Sequence, residues 1–142
     1  MCEAIILAKY IVSKCVKDGQ PISNLQLQKI LFYIQEAFVK KNDLAFSDNI
    51  EAWQFGPVIP NVYYRFAGYG SMAIRNEYED SINEYFDTDE IALINSIIES
   101  KRTLDPWVLV EETHAEGGAW AKVYNRGSNN IISPEIIKES LR

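Results

Sequence analysis

The chain has a single histidine, two cysteines and no apolar run approaching the length of a membrane span, and each scarcity removes a class of function. His114 alone cannot supply the Cys and His clusters from which zinc sites are built, so no metal site is expected. Cys2 and Cys15 stand apart, with neither a CxxC pair nor a third ligand beside them, which indicates free thiols and a reducing, cytoplasmic setting. Glu3 occupies the place of a leader's basic region and Lys9 interrupts the run Ala4 to Ala8, so no secretory leader is read. No segment reaches the ~20 apolar residues of a transmembrane helix, and no membrane association is expected. Missing as well are a GxSxG elbow, a P-loop and a GxGxxG turn. Glu111 and Glu112 are adjacent and so point away from each other on a helix, which disfavours an acid/base couple. No catalytic residue and no cofactor is assigned. A hydrolase using His114 is disfavoured, and the histidine is read as a packing residue with Trp107 nearby on the same helix.

Positive charge is scarce in one half. Net charge is -6, and between Arg75 and Lys101 there is no basic residue but eight acids: Glu77, Glu79, Asp80, Glu84, Asp87, Asp89, Glu90 and Glu99. Such a field repels a phosphate backbone, so direct nucleic-acid binding is disfavoured, although Lys9, Lys14 and Lys17 can form a local basic patch. The acidic stretch is either a solvated face or a surface that steers a basic protein, with Glu79, Asp80 and Glu84 as candidate contacts.

What the chain does have is an average globular composition, 47% hydrophobic and 24% charged, over 142 residues. A chain of this length buries roughly 70% of the surface its unfolded form exposes, enough for one domain without staples. A first helix is predicted over residues 2–18, with Ala4, Leu7, Ala8, Ile11 and Cys15 at helical spacing and Gly19 as its stop. A second runs from the capping box Ser23/Gln26 to about Lys41. On it Leu27, Ile30, Leu31, Ile34 and Phe38 form one apolar arc, and Leu25, Phe32 and Val39 form a second. Lys29, Tyr33, Glu36 and Lys40 are assigned to the polar side. Asn42 to Asn49 reads as a polar connection.

Ile50 to Gly70 is the densest stretch, with a tryptophan, a Gly-Pro break and four more aromatics after Trp53 and Phe55 are reached. Ile50 to Phe55 alternates weakly as a short strand, Gly56-Pro57 is expected to break it, and Pro60 is placed as the first residue of a helix that Gly70 ends. Later helices are expected after Asp87, with Ile91, Ile94, Ile97 and Ile98 inward, after Asp105-Pro106, near Trp120 to Tyr124, and after Ser133-Pro134. Ile131-Ile132 is a possible short strand. The expected architecture is a single, mainly α domain over 1–142, of about five to seven helices with one or two short strands. Gln28 and Gln35 fall between the apolar arcs of the second helix, where an unpaired amide costs ~1 to 3 kcal/mol. One or other is expected to tie that helix to the Trp53 to Val58 turn.

Three blocks carry a family resemblance: Ser23 to Tyr33, reading SNLQLQKILFY; Glu51 to Pro60, reading EAWQFGPVIP, with Tyr63, Phe66, Tyr69 and Gly70; and Thr113-His114 with Trp120. In this order they resemble the Panacea domain of the SocA-like antitoxins, over nearly the whole chain. The local pattern departs from that family in lacking a proline before Trp120 and in carrying Trp107. The resemblance implies a small bacterial or phage-associated protein that neutralises a toxin encoded nearby by direct protein contact, a binding protein and not an enzyme. It implies that Gln28, Glu51, Trp53, Gly56, Pro57, Tyr63, Tyr69, His114 and Trp120 build the scaffold or border the partner site. The alternative is an adaptor of phage or host that recruits another protein without inhibiting a toxin.

Overall fold

The computed structural model describes residues 1–79 and 81–141. Asp80, one of the candidate acidic contacts, lies outside the described residues. The fold is mainly helical: α1 (Ala4–Lys17), α2 (Asn24–Lys40), α3 (Pro60–Phe66), α4 (Thr88–Lys101), α5 (Pro106–Thr113), α6 (Ala119–Val123) and α7 (Pro134–Ser140). A 3-10 turn, Ala67–Tyr69, extends α3. The minor component is an antiparallel sheet of three short strands in the order β2-β1-β3, with β1 at Glu51–Trp53, β2 at Gly56–Val58 and β3 at Asn130–Ile131.

Helix α2 is the hub, touching α1, α3, α4, α5, α7 and β2. Its start is specified locally. The Gln26 N–H donates to Ser23 Oγ at 3.3 Å and the Ser23 N–H to Gln26 Oε1 at 2.9 Å, so each side chain satisfies a backbone donor that the first turn leaves free. The same reciprocal box, Asp87 with Glu90, starts α4. The first apolar arc of α2 is buried throughout: Leu27, Ile30, Leu31, Ile34 and Phe38. Around it pack Leu7, Ile11 and Cys15 of α1, Val62 and Phe66 of α3, and Ile94 and Ile98 of α4.

Several of these expectations are corrected. Gly56-Pro57 does not end the strand region. The chain reverses at Gln54-Phe55, pairs Trp53 with Gly56, and Gly56 and Pro57 run on inside β2. A two-residue connection suits the twist of an antiparallel pair, and Gly56 at φ 114° takes a conformation closed to other residues. Lys29, assigned to the polar side, is fully buried. It lies four residues after Leu25 and three before Phe32, so it belongs to the second apolar arc, and at its level the helix packs on β2. Glu36, between Phe32 and Val39 on that stripe, is half-buried for the same reason, and burial raises its carboxyl pKa.

Gln35 explains why the loop after α2 is ordered. Its Oε1 accepts from the Ala45 N–H at 2.8 Å and the Phe46 N–H at 3.3 Å, while its Nε2 donates to the Phe46 carbonyl at 2.7 Å. The loop carries buried Ala45 and Phe46 and is bridged to Cys2, so it is core rather than a solvated connection. Replacing Gln35 by Leu keeps the bulk but strands two N–H groups and a carbonyl in the interior. Gln35→Leu is expected to lose roughly 2 to 4 kcal/mol in urea unfolding, and a loss near zero would show that water or rearrangement replaces those bonds.

Candidate interaction surface

The candidate residues from the sequence converge on the β1-β2 hairpin. Gln28, fully buried, accepts from the Ile59 N–H at 2.8 Å and donates to Asn24 Oδ1 at 2.9 Å; Asn24 in turn donates to the Tyr63 carbonyl at 3.1 Å. This chain fixes the entry of α3 just past the hairpin. Gln35 reaches the other loop, so neither glutamine bonds within Trp53 to Val58.

Lys29 makes that tie. Its ammonium donates to the Pro57 carbonyl at 3.2 Å. Gly56 lies against it: a β-carbon there would fall 2.8 Å from Lys29 Cε, 2.9 Å from Lys29 Nζ and 2.8 Å from Thr113 Oγ1. Approach this close is possible only without a side chain, so Gly56 is required both by its backbone angle and by the lysine beneath it. Among the described residues no carboxylate is hydrogen-bonded to Lys29, and burial pushes its pKa down to about 7. Thr113 Oγ1 donates to the Val110 carbonyl at 3.0 Å, closing the floor from α5.

His114 caps α5 and stacks on Trp120, with ring centres 3.7 Å apart and planes 6° from parallel; Trp120 stacks in turn on Tyr124 at 4.3 Å. Its packing partner is therefore Trp120 and not Trp107, whose ring meets Phe55 instead. Burial, and secondarily the positive charge of Lys29, lowers the imidazole pKa. The Trp120 indole N–H donates to the Trp53 carbonyl at 2.7 Å, joining this stack to β1. The Trp53 indole N–H donates to Glu51 Oε1 at 2.9 Å.

On the outer side of the hairpin is a groove of about 480 Å³, walled by Trp53, Phe55, Tyr63 and Trp107 and floored by Leu25 and Val58. Trp53 meets Tyr63 edge to face at 5.0 Å, and Phe55 meets Trp107 the same way at 5.3 Å. Phe55 is 46% and Trp107 57% exposed, and the exposed Tyr64 ring lies 6.0 Å from Trp53. Phe55 and Trp107 were missed as site residues because they belong to separate elements whose meeting has no sequence period.

The other candidates lie elsewhere. Tyr69 packs on Phe66 at the end of the 3-10 turn. Glu79, next to Tyr78 that is held to Ser13 of α1, and Glu84, in a turn whose Tyr85 carbonyl accepts from the Met1 ammonium, are both exposed. Two of the three lysines of the basic patch are engaged: Lys14 pairs with Asp18 and Glu99, and Lys9 lies over the Tyr78 ring. Among the described residues no group of three or more His, Cys, Asp or Glu could hold a metal ion, and no helix is long and apolar enough to cross a membrane.

Comparison with known proteins places this geometry. Residues 27–121, from the hub helix through Trp120, match the family described as Antitoxin SocA-like, Panacea domain. Over 155 aligned residues the chain is 29% identical to Antitoxin SocA of Caulobacter vibrioides (strain NA1000 / CB15N), covering 99% of this chain and 82% of that protein. No solved structure gives a significant match.

The buried lysine has a pH signature. Its folded pKa is depressed below the ordinary value of 10.5, so between about 7 and 10 the unfolded chain holds more protons at this site and stability rises with pH. From about pH 7 to pH 8.5 the wild type is expected to gain roughly 1 to 2 kcal/mol relative to Lys29→Met, measured by urea unfolding. Comparing the two cancels the opposing ionisation of cysteines and tyrosines. Parallel pH profiles would mean that the lysine is solvated or paired.

Proposed function

The chain belongs to the SocA-like antitoxin family that carries the Panacea domain, and from that premise we propose that it is the antitoxin of a toxin–antitoxin pair, acting by direct and stoichiometric binding to a toxin encoded beside it. The observation that carries the reading is the division of the chain into a braced scaffold and an unpartnered aromatic face. Gln28, Gly56, Pro57, His114 and Trp120 are spent on internal packing and hydrogen bonds. Trp53, Phe55, Tyr63 and Trp107 present a concave apolar surface outward. Clustered exposed aromatics of this kind are a hallmark of protein interfaces, where desolvating a few rings supplies most of the affinity. Binding needs no reacting group, in keeping with a chain whose one histidine is held in a stack.

Co-expression with the neighbouring gene product tests this directly. The wild type should restore growth and co-purify with its neighbour, while the double variant Phe55→Ala, Trp107→Ala, which alters only exposed rings, should fold with an unchanged melting temperature and lose neutralisation. A harmless neighbour, or full neutralisation by the double variant, contradicts the proposal or its surface respectively.

The acidic segment supplies a second measurement. If the partner is basic, reversing Glu79 and Glu84 to Lys should slow association roughly three- to tenfold at low salt and flatten its salt dependence. On-rates unchanged by the reversal would leave the segment as solvated surface.

A further inference from the structure

The groove beside the hairpin carries recognition chemistry that the antitoxin reading does not specify. Phe55 and Trp107 meet with their planes 86° apart, so their exposed rings form an open corner of two aromatic faces. Among the described residues neither lysine nor arginine lines the groove. Acids accompany its aromatic walls. Glu51 holds the Trp53 indole, Asp105 caps the helix that presents Trp107, and Glu111 lies one turn on from Trp107. Aromatic faces carry the negative lobe of the ring quadrupole and attract a cation lying over them, and carboxylates on the elements that hold the rings add to that attraction. The chain as a whole has a net charge of -6, which favours the approach of a basic partner. A volume of about 480 Å³ lies in the range of a site that takes a few side chains rather than a folded element.

We propose that this groove docks a short segment of the partner protein in which an arginine or lysine side chain lies against the Phe55–Trp107 corner and a neighbouring apolar residue enters beside Trp53 and Tyr63. Arginine suits the corner better than lysine, because its planar and weakly hydrated guanidinium stacks flat on an aromatic ring. The inference rests on the reading of the chain as a partner-binding antitoxin, but its chemistry can be tested without the toxin.

Panning the full-length protein against a displayed library of random short peptides provides that test. Enriched peptides should carry arginine or lysine next to a large apolar residue. In a synthetic peptide of that sequence, replacing arginine by citrulline, which keeps the shape and removes the charge, should weaken binding about tenfold. Trp107→Ala should weaken it at least as much with the melting temperature unchanged. Selection of peptides without basic residues, no selection at all, or indifference to citrulline or to Trp107→Ala would overturn the inference. Neutralisation of the neighbouring gene product without basic selection sinks the groove chemistry alone. Basic selection with a harmless neighbour supports the groove and sinks the antitoxin reading alone.

Discussion

The contact on which the rest depends is the one between the buried Lys29 ammonium and the Pro57 carbonyl. An amine without a carboxylate in the interior is costly, and the fold tolerates it by holding its pKa near neutrality rather than by neutralising it with an acid. What the contact provides is position. The side chain reaches from the hub helix to the second strand, and Gly56 above it has neither the space nor the backbone angle for any other residue. Depth and register of the hairpin are therefore set from below.

Everything on the outer face follows from that placement. With β2 pinned, Gln54 and Phe55 form the tip, Trp53 stands beside Tyr63, and the Trp53 carbonyl is at the right height to accept from Trp120. Helix α5 is drawn against the same floor through Thr113, which leaves Trp107 across from Phe55. The proposed docking groove is thus assembled from elements that share one buried anchor. Pre-organisation of this kind lowers the ordering cost of binding, because the rings need not be gathered when a partner arrives.

How much of this was legible in the sequence depends on the range of the interaction. The two capping boxes, the prolines opening α3, α5 and α7, and the first apolar arc of α2 are encoded within a turn or two, and each could be read directly. Lys29 was misplaced although a signal was present. Leu25, Lys29, Phe32, Glu36 and Val39 share one helical stripe, and a charged residue inside an apolar stripe is better read as buried than as solvated when the opposite face is occupied too. Other features carry no local signal. The loop that Gln35 secures, the Trp120 ring on which His114 stacks and the corner made by Phe55 and Trp107 join residues from separate elements, so only the tertiary arrangement shows them. The Gly-Pro pair was legible as a special backbone position but not as a strand, because the turn that precedes it uses Gln54-Phe55 and lacks the usual turn residues.

A scaffold anchored by Lys29 is proposed to present its aromatic groove to a partner protein. Hydrogen–deuterium exchange on the complex with the neighbouring gene product measures this most directly. The account predicts new protection concentrated in the hairpin tip, residues 53–58, in residues 63–71 and in the first turn of α5, with little change in the already protected hub helix. Protection confined to other faces, with the hairpin and α5 exchanging as in the free protein, would contradict it.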